Sequence, residues 1–155
     1  MIASLLRPEY VRVRVWCRTK VELLEALLSL VSTHPAVLDP AELRRAVWDR
    51  EAIMSTGVGK GLAIPHGKTH AVTDSVASLM TLAEPVDYDA LDGQPVRIAF
   101  LLVGPENQTS QHIKLLSRIS RLMNHEPFRE RLLKAQTPEE LCALFAQEEE
   151  LYFRL

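Results

Sequence analysis

Cysteine is scarce in this chain of 155 residues: Cys17 and Cys142 are the only two. Their separation matches neither a metal-ligand spacing nor a small disulfide framework, so they read as reduced thiols of a cytoplasmic protein. No apolar run approaches the roughly 20 residues needed to cross a bilayer. Glu9, Arg12, Arg14 and Arg18 interrupt the apolar positions near the start, so no signal peptide or membrane insertion is expected. Neither sign of charge prevails. The 18 basic and 20 acidic residues leave a formal charge of −2, which gives no reason to expect nucleic acid or an anionic membrane as the main partner. Repeats, linkers and low-complexity stretches are missing as well, and the length suits one domain, residues 1–155, with a substantial core.

What is present is clear periodicity. Val11, Val13 and Val15 alternate with Arg12, Arg14 and Trp16, as in a half-buried strand. Thr19 and Glu22 form a capping box for a helix that buries Leu23, Leu24, Leu27, Leu28 and Val31. Asp39 with Pro40 opens a second helix reaching about Met54. Residues 75–82 and 96–103 read as long apolar strands, and the stretch between them is too short for a helical crossover, which predicts antiparallel neighbours. Thr109 or Ser110 is expected to cap a third helix, Pro127 to begin a short fourth, and Thr137 to cap the last. The C-terminal residues 148–155 are expected to fray. Strands interleaved with helices on both faces predict an α/β fold: three layers, α/β/α, around a mixed parallel/antiparallel sheet.

The segment Gly61-Leu62-Ala63-Ile64-Pro65-His66-Gly67-Lys68 places one histidine after a short apolar strand, between a proline that ends strand pairing and a glycine that leaves room for a second molecule. Such a histidine suits a nucleophile; the alternative reading of the segment is a turn histidine with no role. The preceding Ser55-Thr56-Gly57-Val58-Gly59-Lys60-Gly61 reads as a glycine-rich loop. It is no P-loop, because Met54 and Gly61 stand where that motif needs glycine and a hydroxyl residue. Its backbone amides remain a candidate anion cradle, formed by Ser55, Thr56, Gly57, Gly59 and Lys60. His66 and His70 share the spacing of a zincin helix, but Pro65 and Gly67 oppose a helix there. Zinc held by His66, His70 and Asp74 is a weak alternative, and neither metal nor cofactor is expected.

His112 falls in the first turn of the third predicted helix, where the helix dipole attracts anions and disfavours imidazolium; it is either a surface helix residue or, paired with His66 across the sheet end, a donor to what His66 carries. Arg50, near the end of the second, is either a solvated charge at a helix C-terminus or a guanidinium leaning toward a phosphate.

Asp49-Arg50-Glu51, Ser55-Thr56-Gly57-Val58-Gly59, Ala63-Ile64-Pro65-His66-Gly67, the segment Val86 to Val96 and Gln111-His112-Ile113 together resemble a known family. It is the enzyme IIA domain of the bacterial phosphotransferase system, in its fructose–mannitol class, which includes the nitrogen-regulatory paralogues. The likeness runs over about residues 5–146. It implies a phosphocarrier in which His66 accepts a phosphoryl group from a phosphohistidine on HPr or its nitrogen-branch counterpart. His66 then passes the group to a sugar-specific IIB domain. The alternative it implies is a regulatory protein that controls a target according to His66 phosphorylation. His112 and Arg50 match the positions that stabilise the phosphoryl group.

Overall fold

The computed structural model describes residues 1–153 and contains a six-stranded sheet with five α-helices. The strands are β1 (Val11–Val15), β2 (Gly57–Gly59), β3 (Leu62–Ala63), β4 (His66–Thr69), β5 (Val76–Val86) and β6 (Val96–Pro105). The helices are α1 (Lys20–Val31), α2 (Pro40–Ile53), α3 (Thr109–Met123), α4 (Glu126–Lys134) and α5 (Pro138–Phe153). No helix among the described residues is long and apolar enough to cross a membrane.

Strand order is β1-β5-β6-β3-β2, with β4 also paired to β6 beyond β3. β5 and β6 are antiparallel, as the short connection between them required, whereas β1 on β5 and both β3 and β4 on β6 are parallel. The sheet is therefore mixed. Side-chain alternation along β6 divides the interior: Ala99, Leu101 and Val103 join α1 and α2 on one face, while Ile98, Phe100 and Leu102 join α3, α4 and α5 on the other. Both faces being covered explains why β5 and β6 read as nearly continuous apolar runs.

Local signals place the helices. Thr19 Oγ1 accepts from Glu22 N at 3.1 Å, Asp39 Oδ1 accepts from Ala41 N at 3.1 Å, and Thr137 Oγ1 accepts from Glu140 N at 3.1 Å. The third helix departs from expectation. Gln108 is its N-cap and caps nothing through its side chain, because the Thr109 hydroxyl lies inside the helix and accepts from Lys68 Nζ at 3.0 Å. Pro65 does not end pairing either: its carbonyl accepts from Leu102 N at 3.0 Å, so the strand line resumes at His66. Proline removes a donor but keeps its acceptor.

Fraying from residue 148 is also corrected, since α5 continues to Phe153. Glu148 bonds Arg131 at 2.8 Å, and the buried Glu149 accepts from Ile2 N at 2.7 Å and Ala3 N at 2.9 Å. The N-terminal backbone thus ties down the last turns of the chain. The expected frayed positions 154 and 155 lie outside the described residues.

Phe145 of α5 packs against Phe100 of β6 and Phe128 of α4, with ring centroids 5.5 and 5.0 Å away. Phe145→Ala is expected to cost about 3–5 kcal/mol of stability, measured by urea unfolding followed by circular dichroism.

Candidate functional site

His66 begins β4, opposite Leu102 of β6. Its Nδ1 lies 2.8 Å from the Ile64 carbonyl oxygen. A carbonyl only accepts, so Nδ1 carries the ring proton and Nε2 keeps its lone pair. Burial lowers the basicity of the ring; the Ile64 carbonyl and Glu51 oppose that effect and Arg50 adds to it, with a net shift downward. Near pH 7 this is a neutral imidazole with one free nucleophilic nitrogen.

His112 stands beside it on the first turn of α3, with ring centroids 5.9 Å apart and planes tilted by 50°. Its close approach to the sheet requires Gly104, where an added Cβ would fall 3.0 Å from His112 Nδ1. Burial, the neighbouring His66 and Lys68 push the His112 pKa down to about 4. Among the described residues its buried Nδ1 has no hydrogen-bond partner. A buried orphan N–H is rarer than an orphan lone pair, which places the proton of neutral His112 on Nε2 as an available donor.

Arg50 lies in the last turn of α2 and donates to the Met54 carbonyl at 2.8 Å. Its charge reaches His66, whose basicity it lowers. Arg50 is thus a helix-terminal cation whose field falls on the histidine. Ile53 and Met54, which follow it, and Ile113, which follows His112, are 80, 56 and 59 % exposed. They are apolar side chains left in solvent on the elements that carry Arg50 and His112.

Glu51 is the residue that sequence reasoning quoted without assigning a role. It is buried, pairs with Lys20 Nζ at 2.9 Å, and accepts from Thr56 N at 2.8 Å and from the Tyr88 hydroxyl at 3.1 Å. The Thr56 carbonyl in turn accepts from Ile64 N at 2.9 Å, and Ile64 holds His66. A chain of bonds thus runs from α2 to the imidazole. Burial raises the Glu51 pKa, but hydrogen bonds from Thr56 and the Lys20 ammonium outweigh it, and the net shift is downward. The available signal was the four-residue spacing of Leu43, Val47 and Glu51, which puts all three on the inward face of α2.

Within the expected anion cradle, Gly59 and Lys60 stand apart from His66 and the amides of Thr56 and Gly57 already have partners. Residues 57–59 are strand β2, which turns back onto β3 with Gly57 opposite Ala63. Thr56 has given its N–H and hydroxyl to Glu51, and the Ser55 hydroxyl lies 3.2 Å from the Tyr88 carbonyl. Lys60 N donates to Asp92, and Lys60 Nζ contacts Asn124. Leu62 pairs with Ile98 whereas His66 pairs with Leu102, so the turn carrying Gly59 and Lys60 lies more than ~13 Å from His66 along the strand direction. The glycines that suggested a loop serve a hairpin. His70 is 88 % exposed at its side chain and pairs with Glu106 at 2.8 Å. Among the described residues no three His, Cys, Asp or Glu side chains converge as a cation site.

Residues 4–148 match the family described as phosphoenolpyruvate-dependent sugar phosphotransferase system, EIIA 2. The chain is 36 % identical over 149 residues to a nitrogen regulatory protein of Escherichia coli, covering 96 % of this chain and 91 % of that one. It is 29 % identical over 146 residues to the fructose-specific EIIABC component of Bacillus subtilis, and there the match spans 94 % of this chain but 23 % of the longer protein. Among solved structures, the nitrogen regulatory protein IIA-Ntr of Neisseria meningitidis superposes with a TM-score of 0.86 at 31 % identity, covering 92 % of this chain and 97 % of that one.

Glu51→Gln is expected to lower stability at pH 7 by about 2–4 kcal/mol, because it leaves the Lys20 ammonium half-buried without a counter-charge. The folded-state pKa of Glu51 is depressed, so its contribution is full above the ordinary carboxylate range and fades as pH falls through the lower folded value. The gap between wild type and Glu51→Gln should therefore narrow in acid, read from urea midpoints at pH 7 and at pH below about 4.

Proposed function

This chain belongs to the EIIA 2 family of the phosphoenolpyruvate-dependent sugar phosphotransferase system, and from that membership we propose that His66 carries a phosphoryl group from one protein to another. The observation that carries this reading is the 2.8 Å bond tying Nδ1 to the Ile64 carbonyl. It aims a free Nε2 lone pair outward on a ring that burial keeps neutral. The proposed donor is a phosphohistidine on HPr or its nitrogen-branch counterpart, and the proposed acceptor is a IIB domain.

In the proposed step the Nε2 lone pair attacks the phosphorus of the donor. A new Nε2–P bond forms, the donor N–P bond breaks, and its electron pair returns to the donor imidazole. The donor leaves as neutral imidazole when its other ring nitrogen already bears a proton, while the His66 proton stays on Nδ1, donated to the Ile64 carbonyl. Phosphoryl transfer passes through a loose arrangement with charge on the equatorial oxygens, so positioning and fixed donors supply most of the acceleration. Arg50 and the His112 Nε2–H are assigned to those oxygens. The exposed Ile53, Met54 and Ile113 suit an approach by protein rather than by free sugar.

A second reading is favoured by the likeness to nitrogen regulatory proteins, which extends over nearly the whole of both chains. In it the loaded His66 is a signal. Phosphorylation adds roughly −1.5 to −2 charges at His66 and so alters a docked target. The two readings share the same chemistry at His66.

Incubation with phosphoenolpyruvate, enzyme I and either carrier should add one acid-labile phosphoryl group to wild type and none to His66→Ala, read by intact mass. Equal labelling of both proteins would sink the assignment. The rate of loading should be level above pH 7 and fall as His66 becomes protonated at a pH below its ordinary 6.5. A stopped-flow or quenched pH series on wild type measures this.

A further inference from the structure

Lys68 is a cation beside the site that the reading of His66 leaves unused. Along β4, Gly67 backs onto α2, since an added Cβ there would lie 3.4 Å from the backbone of Ala46 and Val47. Alternation then puts His66 and Lys68 together on the opposite face, toward α3. Two residues along a strand separate them by ~7 Å, within the span of an extended lysine. Lys68 forms no ion pair among the described residues. Its ammonium rests on a neutral acceptor, the Thr109 hydroxyl at 3.0 Å. α3 begins with no side-chain cap and no acidic residue in its first turn, and the carboxylate of Glu106, just before it, is paired with His70. The field of Lys68 already reaches His112, whose basicity it lowers.

From this placement we propose that Lys68 exchanges the Thr109 hydroxyl for a phosphoryl oxygen on His66, and so supplies the third fixed contact, with Arg50 and His112, that the glycine-rich segment does not provide. The proposal rests on His66 as the phosphoryl carrier. A hydrogen bond from ammonium to a phosphoryl oxygen is roughly twice as strong as one to a neutral hydroxyl, so the exchange is downhill once the anion arrives. In the unloaded protein Thr109 keeps the ammonium parked, away from the nucleophilic nitrogen. The step moves one side chain and breaks no covalent bond.

The test reads charge rather than packing. Wild type, Lys68→Gln, Lys68→Arg and Thr109→Val are loaded with phosphoramidate, a small nitrogen–phosphorus donor that needs no docking surface. The phosphorus resonance of each is then titrated from pH 6 to 9. The groups facing the loaded ring are Arg50 and Glu51 from α2, His112 from α3 and Lys68 from β4, and only the last changes sign or position in this set. Removing a nearby cation makes protonation of the loaded group easier, so Lys68→Gln should raise its apparent pKa by about one unit. Lys68→Arg should stay near wild type, and Thr109→Val should not rise. An unchanged titration in Lys68→Gln overturns the assignment while leaving His66 as carrier. So does a Thr109→Val curve that copies Lys68→Gln, since that would mark the lysine as a helix anchor. Failure of wild type to hold phosphate on His66, from phosphoramidate or from the phosphorylated carrier, removes the parent reading and this one with it.

Discussion

Glu51 is a carboxylate withdrawn from water, and such a charge is tolerated only where partners replace the lost solvent. The backbone of Thr56, the Tyr88 hydroxyl and the Lys20 ammonium do so, and they come from three separate parts of the chain. Lys20 also lies over the Tyr88 ring at 4.6 Å, which closes the cluster. Because Thr56 holds Ile64 and Ile64 holds His66, the orientation of the imidazole depends on a charge on another element. An apolar residue at position 51 would fill the space. It would not fix the segment that leads into β4.

Around that cluster the sheet provides two kinds of support. β6 pairs with β5, β3 and β4 and is covered on both faces, so it is the most constrained strand present. β4 is short and borrows rigidity from β6 through the Pro65 carbonyl and four paired positions. The absence of a side chain at Gly104 then lets His112 come against β6 and face His66. Two histidines from distant parts of the sequence meet because one strand offers both a pairing edge and a vacant Cβ.

Most of this arrangement was legible before any coordinate. Capping residues Thr19, Asp39 and Thr137 located three helices, because their hydroxyl and carboxylate bonds are local. The length of the 82–96 connection predicted the antiparallel pair, since chain geometry leaves no alternative. The motif around His66, together with Arg50 and His112, picked out residues that the fold brings near one another. What sequence missed was decided by contacts distant in the chain. Thr109 or Ser110 was expected to cap α3, but the helix begins at Thr109 and a lysine 41 residues earlier takes that hydroxyl. The three glycines at 57, 59 and 61 looked like a cradle, whereas pairing with β3 and the Asp92 carboxylate make them a hairpin. Residues 148–153 looked like a loose end until the amides of Ile2 and Ala3 supplied partners for Glu149.

The Pro65 carbonyl bonded to Leu102 N has a consequence for motion. Amides of a strand paired on both edges open only when a large part of the sheet opens, so the anchor next to His66 belongs to the slowest-exchanging tier of the molecule. The exposed side chains of Ile53, Met54 and Ile113, by contrast, are free to change rotamer in nanoseconds or less. On the proposed reading, a visiting protein meets compliant side chains in front of a rigid strand. If His66 carries a phosphoryl group as proposed, such a protein settles its own fit against those side chains without displacing the nitrogen behind them.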